Sequence, residues 1–400
     1  MTFPGETGPR PQAPRRLDLA SIERELHTLW KEAEQGEGGA AGPGTTRACV
    51  LNLVVVVQDE RPMETFPDLI TAITSEHPCR VLLVHVGSVT APSRLEAAVS
   101  AHCHRPAGSD RQVCCEQITL KLAGEACRHL HGTVGPLLIG DLPVFVWWRG
   151  RPPFETHRFQ GLAGIADRVV IDSAQGPESI PTLAALAAST RLPDNEVKAP
   201  GDLNWRRLST WRELVASVFD PPGRCPALES IRDVKIRCDP GGDGEQAVRA
   251  FYLAGWLVSR LGWQIREATA RKVDQGLAIE LDATTHVVRL TVSGSVFKAG
   301  GAPFGVELAA ETGDGSLVAC LEAAGEGHVV TCRIQRPGRA PWVRCLEVSE
   351  RTRAQLIMRE LEMNHRDPVF EDALTPAGDL ARLWISLSAS ARGEGPSRKE

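Results

Sequence analysis

One tyrosine in 400 residues, and 5% aromatic content overall, leave this chain little aromatic surface. No stretch approaches the roughly 20 consecutive apolar residues that a membrane-spanning helix needs. The opening sixteen residues, MTFPGETGPRPQAPRR, lack the apolar core of a secretory signal and read as a disordered Pro/Gly/Arg tail. A net charge of −5 provides no general attraction to nucleic acid or to anionic membranes. Arginine far outnumbers lysine, yet the basic residues are interspersed with acids, as on a solvated surface. A phosphate loop, a nucleophile elbow and an H-E-x-x-H helix are all missing, which removes three common routes to an enzyme. No C-x-x-C pair and no fixed-period repeat occurs. These absences predict a cytoplasmic protein whose eleven cysteines are reduced thiols.

What is present predicts two domains, residues 17–225 and 226–385, followed by a polar tail over 386–400. Residues 17–35 carry Ile22, Leu26, Leu29 and Trp30 on one helical face behind a candidate cap, Asp18. GEGGAAGPGTT then breaks the chain; its loose G-x-G-x-x-A string, Gly36 to Ala41, follows a helix and precedes a strand, the wrong place for a dinucleotide loop. The apolar runs ACVLNLVVVVQ, CRVLLVHVG, LPVFVWW and RVVIDS read as strands covered on both faces. They alternate with helix-like segments PDLITAITSEHP, SRLEAAVSAH, HRFQGLAGIA and ESIPTLAALAAST. That alternation predicts an α/β domain with a mostly parallel, three-layer sheet. VCCEQITLKL, less apolar, reads as an edge strand. A helix over DLNWRRLSTWRELVASVFDPP carries a Thr210/Glu213 capping box, and DPPGRCP ends the domain. The second half opens with the strand IRDVKIRC and the helix EQAVRAFYLAGWLVSRLGW. Six short alternating segments follow, from QIREATARKV to HVVTCRIQRP, then a last helix, RTRAQLIMRELEMNH. The pattern predicts an α+β domain with an antiparallel sheet.

Three groups of residues invite chemistry. His102, Cys103, His104, Cys114, Cys115, Cys127, His129 and His131 fall within thirty positions. They lack the paired spacing of structural zinc, so no metal is assigned. Cys114 and Cys115 remain candidates for thiol regulation, projecting to opposite faces if they lie on a strand. Asp141, Asp172, Asp202 and Asp220 stand at element ends, where caps and turns account for them. The tryptophan–arginine strings are more distinctive. Trp147, Trp148 and Arg149 close one strand, and Trp205, Arg206, Arg207, Trp211 and Arg212 follow. Tryptophan and arginine dominate interface energetics, which makes Trp147, Trp148, Arg149, Trp205 and Arg207 the candidate partner contacts. Side chains alternate along a strand. One ring of the 147/148 pair is therefore expected in the core and the other near Arg149 on an accessible strand end.

The strings DLPVFVWW, RVVIDS and DLNWRRLSTWRELVASVFD resemble the OpcA family, glucose-6-phosphate dehydrogenase assembly proteins of cyanobacteria and actinobacteria. RACVLNLVVVV, HPCRVLLV, CCEQITL, AGWLVSRLGW and RELEMNHRDPVFEDAL extend the resemblance from about residue 17 to 385. It implies a non-enzymatic protein that binds glucose-6-phosphate dehydrogenase and promotes its assembly or active state. The oxidative pentose phosphate pathway and its NADPH supply would be controlled in that way. No cofactor of its own is implied, since NADP and sugar phosphate belong to the partner. The family's link to thioredoxin makes thioredoxin a second candidate partner, with Cys114 in the matching CCEQITL segment. Taken from the residues alone, the rival is an enzyme or sensor binding a nucleotide or sugar phosphate at the strand ends. A metal- or thiol-based redox module is a third reading.

Overall fold

A computed structural model describes residues 19–35, 45–58, 66–104, 112–174, 178–192, 197–239, 244–273, 275–294, 304–313, 315–324, 329–363 and 365–390. The 1–16 tail, Asp18 and the glycines of the 36–44 linker lie outside them. Along the chain run α1 (Leu19–Gln35), β1 (Thr45–Arg47), β2 (Leu51–Val57), α2 (Phe66–Glu76), β3 (Cys79–Val86), β4 (Arg94–His104) and β5 (Gln112–Ala123). Next come α3 (Leu130–Val134), β6 (Val144–Arg149), α4 (His157–Ile165), β7 (Arg168–Ile171), α5 (Ser179–Ser189), β8 (Pro200–Asp202), α6 (Leu203–Arg207) and α7 (Ser209–Ser217). The second half holds β9 (Ile231–Cys238), α8 (Glu245–Leu261), β10 (Gln264–Ile265), β11 (Arg271–Val273), β12 (Gln275–Asp282), β13 (Val287–Gly294) and β14 (Phe304–Thr312). It closes with β15 (Gly315–Ala324), β16 (Val329–Gln335), β17 (Trp342–Glu347), α9 (Arg353–Leu361) and α10 (Pro368–Ser390).

The chain forms two compact units, each assembled from separated stretches. The first takes Met1–Asp172, Asp194–Leu203 and Thr352–Arg366; the second takes Ser173–Pro193, Asn204–Arg351 and Asp367–Glu400. In place of one crossing near residues 220–230, the chain changes unit five times. Helix α5, read with the α/β half, belongs to the second unit, and α9, read with the α+β half, belongs to the first.

The first unit is built on an eight-stranded sheet of order β1-β5-β3-β2-β6-β7-β8, parallel throughout except for β4, which pairs antiparallel with β5. The mostly parallel α/β expectation holds. Every residue of β2 is buried, as β-branched runs must be when both faces are covered. One face packs Leu53, Val55, Leu83, Phe145 and Trp147 against Phe66, Ile70 and Ile73 of α2 and Leu356, Ile357 and Leu361 of α9. On the other, Trp148 meets Phe159 of α4. Helix α1 is fixed to the sheet through a buried carboxylate. Glu116 accepts from Trp30 Nε1 at 2.6 Å and from Arg80 Nε at 2.9 Å, and pairs with Arg47 at 2.6 Å. Arg80 in turn reaches Glu23 of α1 at 2.8 Å.

Two expectations fail here. SRLEAAVSAH is not a helix; it lies in β4, paired along its length with β5. VCCEQITLKL is not an edge; β5 lies between β3 and β4. Its polar residue Glu116 is buried because two arginines neutralise it, not because the strand is peripheral.

The second unit carries a nine-stranded sheet of order β10-β12-β13-β9-β14-β15-β16-β17, with β11 also on β12. It is antiparallel, as expected, except where β9 runs parallel to β13. Helices α8 and α10 supply the covering layer, with α5 against α10. The opposite face carries cross-strand ion pairs, Arg289–Asp233 at 2.7 Å and Lys235–Glu307 at 2.8 Å. Polar-out, apolar-in alternation along β9 follows. Helix α10 is absent from the sequence expectation, and its residues 386–390 replace the start of the expected tail. The Thr210/Glu213 capping box does not form, since α7 starts at Ser209 with no side-chain cap. A capping box closes α9 instead: Gln355 N donates to Thr352 Oγ1 at 3.3 Å and Thr352 N to Gln355 Oε1 at 2.9 Å.

Candidate partner-binding site

Open parallel sheets bind ligands at the carboxyl ends of their strands, where the strand order reverses. Here the reversal lies between β2 and β6: the chain adds β3 and β5 on one side of β2, and β6, β7 and β8 on the other. A dinucleotide site at that point needs glycines in the first strand-to-helix connection, so that backbone N–H groups can approach a pyrophosphate. Residues 58–65 of this chain read QDERPMET, with three acids and no glycine. Beside that connection, Arg149 at the end of β6 lies 4.5 Å over the Phe66 ring at the start of α2 and 5.7 Å over Trp147. A cation–aromatic stack occupies the start of α2, where a dinucleotide fold presents bare backbone.

The paired tryptophans do point to opposite faces, but both are buried, Trp147 at 1% and Trp148 at 0% exposure. The expectation of one accessible ring is therefore corrected. Strand β6 is interior, between β2 and β7, and each sheet face is covered. Trp147 stacks on Phe66 at 6.5 Å, while Trp148 meets Phe159 edge-on at 5.3 Å. Neither indole Nε1 has a hydrogen-bond partner among the described residues, so each ring contributes through packing. Arg149 stays half-buried at the strand end.

Trp205 and Arg207 belong to the second unit, apart from the Trp147 group in the chain's division. Trp205 is buried among Tyr252 at 5.9 Å and Phe370 at 5.6 Å, and the Arg212 guanidinium covers its face at 3.6 Å. Burial pulls Arg212 down to about 10, with a smaller contribution from the neighbouring Arg206 charge. Arg207 pairs with Glu245 at 3.6 Å and is largely covered. Trp211 fits the helix face expected of it and meets Phe304 at 4.8 Å. Of the five candidate contacts, only the arginines retain solvent-facing surface.

The cysteines also depart from expectation. Nine are thiols, but Cys103 and Cys114, directly opposed on β4 and β5, form a disulfide. The adjacent Cys115 diverges as strand geometry requires and is buried, its Sγ 3.8 Å from the Thr74 carbonyl. Burial pushes the Cys115 thiol up to about 11 and Cys79 well above its ordinary value. His102 binds Gln117 at 2.8 Å and Thr71 at 3.3 Å. Among the described residues no group of three or more His, Cys, Asp or Glu side chains is arranged to hold an ion. None of their helices is long and apolar enough to cross a membrane.

A surface tryptophan escaped the sequence reading. Trp342, on the last strand of the second sheet, is 43% exposed, with Arg224 stacked 5.2 Å over its ring. Its signal was the arginine-rich turn RPGRAPWVR.

The fold and site thus define a two-unit α/β and α+β protein whose first strand-to-helix connection contains no glycine. Sequence models place it further. The glucose-6-phosphate dehydrogenase subunit N-terminal domain matches residues 70–188, and the C-terminal domain of the same subunit matches residues 198–374. The chain belongs to this family, OpcA. It is 35% identical over 201 residues to a protein of Nostoc punctiforme named as an OxPP cycle protein, OpcA, covering 50% of this chain and 41% of that one. A Synechocystis protein of the same name is 33% identical over 194 residues, covering 48% and 38%. The matched region thus spans about four-tenths of these relatives' length. Among solved structures, a super-repressor mutant of Gal80p from Saccharomyces cerevisiae aligns at TM-score 0.45 and 9% identity, over 86% of this chain and 96% of that one. That likeness is too slight to carry an argument.

Proposed function

We propose that this protein is a non-enzymatic partner of glucose-6-phosphate dehydrogenase that binds the enzyme in the cytoplasm and favours its active form. The observation that carries the reading is the pair of family matches, which together run through both units of the chain. The glycine-free connection at the strand-order reversal supports it, since the rival nucleotide-binding enzyme needs backbone access there. In favour of the rival stands the strand order β5-β3-β2-β6-β7-β8, which is that of dinucleotide-binding sheets. Activation would act as a population shift, with the active dehydrogenase bound more tightly than the inactive one. Of the sequence candidates, Arg149 and Arg207 are the ones able to contribute donors to a partner directly. Trp147, Trp148 and Trp205 would act only by holding the surface in shape. A dithiol reductant of the thioredoxin type is a second candidate partner, converting the Cys103–Cys114 disulfide to two thiols. Co-purification with the cognate dehydrogenase, against nucleotide and sugar-phosphate binding by the isolated chain, tests the reading. A stable complex without small-molecule binding is expected; tight nucleotide binding without a complex would favour the rival.

A further inference from the structure

The second sheet ends on one side at the short strands β10 and β11, of two and three residues, and on the other at β17, of six. Among the described residues strand β17 pairs only with β16, without a register shift, and five of its six residues are exposed. Long, regular, bare edges are open templates for another strand, and folded proteins ordinarily shorten, bulge or cover them. In the first sheet the long edge β4 has α1 and α2 against it. On β17, by contrast, Arg224 stacks over the Trp342 ring, and five of the six residues are nonetheless exposed. By register, Trp342, Arg344 and Leu346 share the face of Ile334, Cys332 and Val330, while Val343, Cys345 and Glu347 share that of Arg333, Thr331 and Val329.

The surroundings of this edge specify its occupant. Of the seven large apolar side chains exposed among the described residues, Trp342, Val343 and Val329 stand here. Arginine ion pairs are common elsewhere in the sheet, as at Arg289 and Arg232. Arg333, Arg339 and Arg344, by contrast, have no ion-pair partner among the described residues. Glu347 is the only acid in the strand. The edge therefore offers ladder hydrogen bonds, exposed apolar side chains on both faces, and arginines without an ion-pair partner among the described residues.

We propose that β17 takes up an extended segment of the dehydrogenase, mixed acidic and apolar, as a tenth strand of this sheet. The proposal rests on the functional reading above and adds where and how the partner is held. Main-chain hydrogen bonds supply the affinity of such strand addition; side chains alternating between faces supply its selectivity. A carboxylate beside Arg344 and an apolar residue against Trp342 satisfy both.

The test uses the full chain and the cognate dehydrogenase. In the complex, amide exchange at residues 342–347 is expected to slow markedly relative to the free chain. Arg344→Glu and Trp342→Ala, both at exposed positions, are each expected to weaken binding about tenfold or more with unchanged melting. Arg344→Lys should largely restore it. A complex that forms with unaltered exchange at 342–347, or that tolerates Arg344→Glu and Trp342→Ala, overturns the strand addition and leaves the functional reading standing. A wild-type dimer that Trp342→Ala dissociates assigns the edge to a second copy and overturns it too. No complex with the wild-type chain removes the functional reading and this inference together.

Discussion

Trp147 and Trp148 set the limits on what adjacent aromatic residues can do at a strand end. Each fills one side of a sheet covered on both sides, so neither is free to meet a partner. Replacing either by alanine is expected to cost about 3 to 5 kcal/mol, as large-to-small core changes do. Chemical denaturation of the two single mutants checks this; a near-neutral result for one of them would return it to the surface. The thiols divide equally sharply. At neutral pH, labelling should be fast at the exposed Cys225 and Cys345 and slow at the buried Cys79, Cys115 and Cys238. Burial raises Cys115 to about 11 and Cys238 to about 12 from an ordinary 9.0, so the folded state keeps protons that the unfolded chain gives up. Their contribution is complete below pH 9 and is lost as pH climbs through 9 toward 11 and 12. Melting between pH 8 and 11 should therefore fall more steeply for the wild type than for Cys115→Ala. Equal slopes would contradict the burial of that thiol.

At the scale of elements, two long-range attachments govern the units. In the first, Arg168 of β7 donates from Nε to Glu360 Oε2 of α9 at 2.7 Å and from a terminal nitrogen to the His365 carbonyl at 3.0 Å. Both side chains are almost fully buried. Glu360→Ala, which strands a buried guanidinium, should cost about 3 to 5 kcal/mol, and replacing both partners by apolar residues should cost less. Urea denaturation of the single and double mutants would show it; equal losses would remove the pair's special status. In the second unit, α8 approaches α10 at Gly255, where a Cβ would lie 2.5 Å from the Ala373 carbonyl oxygen. Alanine is the better helix former by about 1 kcal/mol. The contact is with backbone that cannot turn away, so Gly255→Ala should lower stability by roughly 1 to 3 kcal/mol.

The same elements show why part of the fold was legible. Strands β2, β3, β6 and β7 announced themselves because burial on both faces demands unbroken apolar runs. Strand β4 did not: only Ala97 of it is buried, and its alanines and serine fit either period. Helix α10 contains Pro376 and Gly378, residue types that ordinarily interrupt a helix; Gly378 serves packing, facing Ala187 of α5. Its start was readable, since Asp367 caps Phe370 N at 3.0 Å ahead of Pro368. That both rings of the 147/148 pair are buried could not be read, because α9 covers the Trp147 face from a segment more than two hundred residues away. The crevice was legible only in part: Arg149 was singled out, but its partner Phe66 has no local signature.

For the molecule as a whole, the account rests on binding without catalysis. A tenfold change in the dehydrogenase's apparent substrate affinity requires only about 1.4 kcal/mol of coupling, within reach of a few interface anchors. The isolated chain should turn over neither glucose 6-phosphate nor NADP. The most direct measurement is the initial rate of the cognate dehydrogenase across glucose 6-phosphate concentrations, with the full chain titrated from zero to excess. The account predicts a saturable rise at low substrate, reaching its limit at a fixed ratio of the two proteins. A rate unchanged at every substrate level, with no complex on gel filtration, would contradict it.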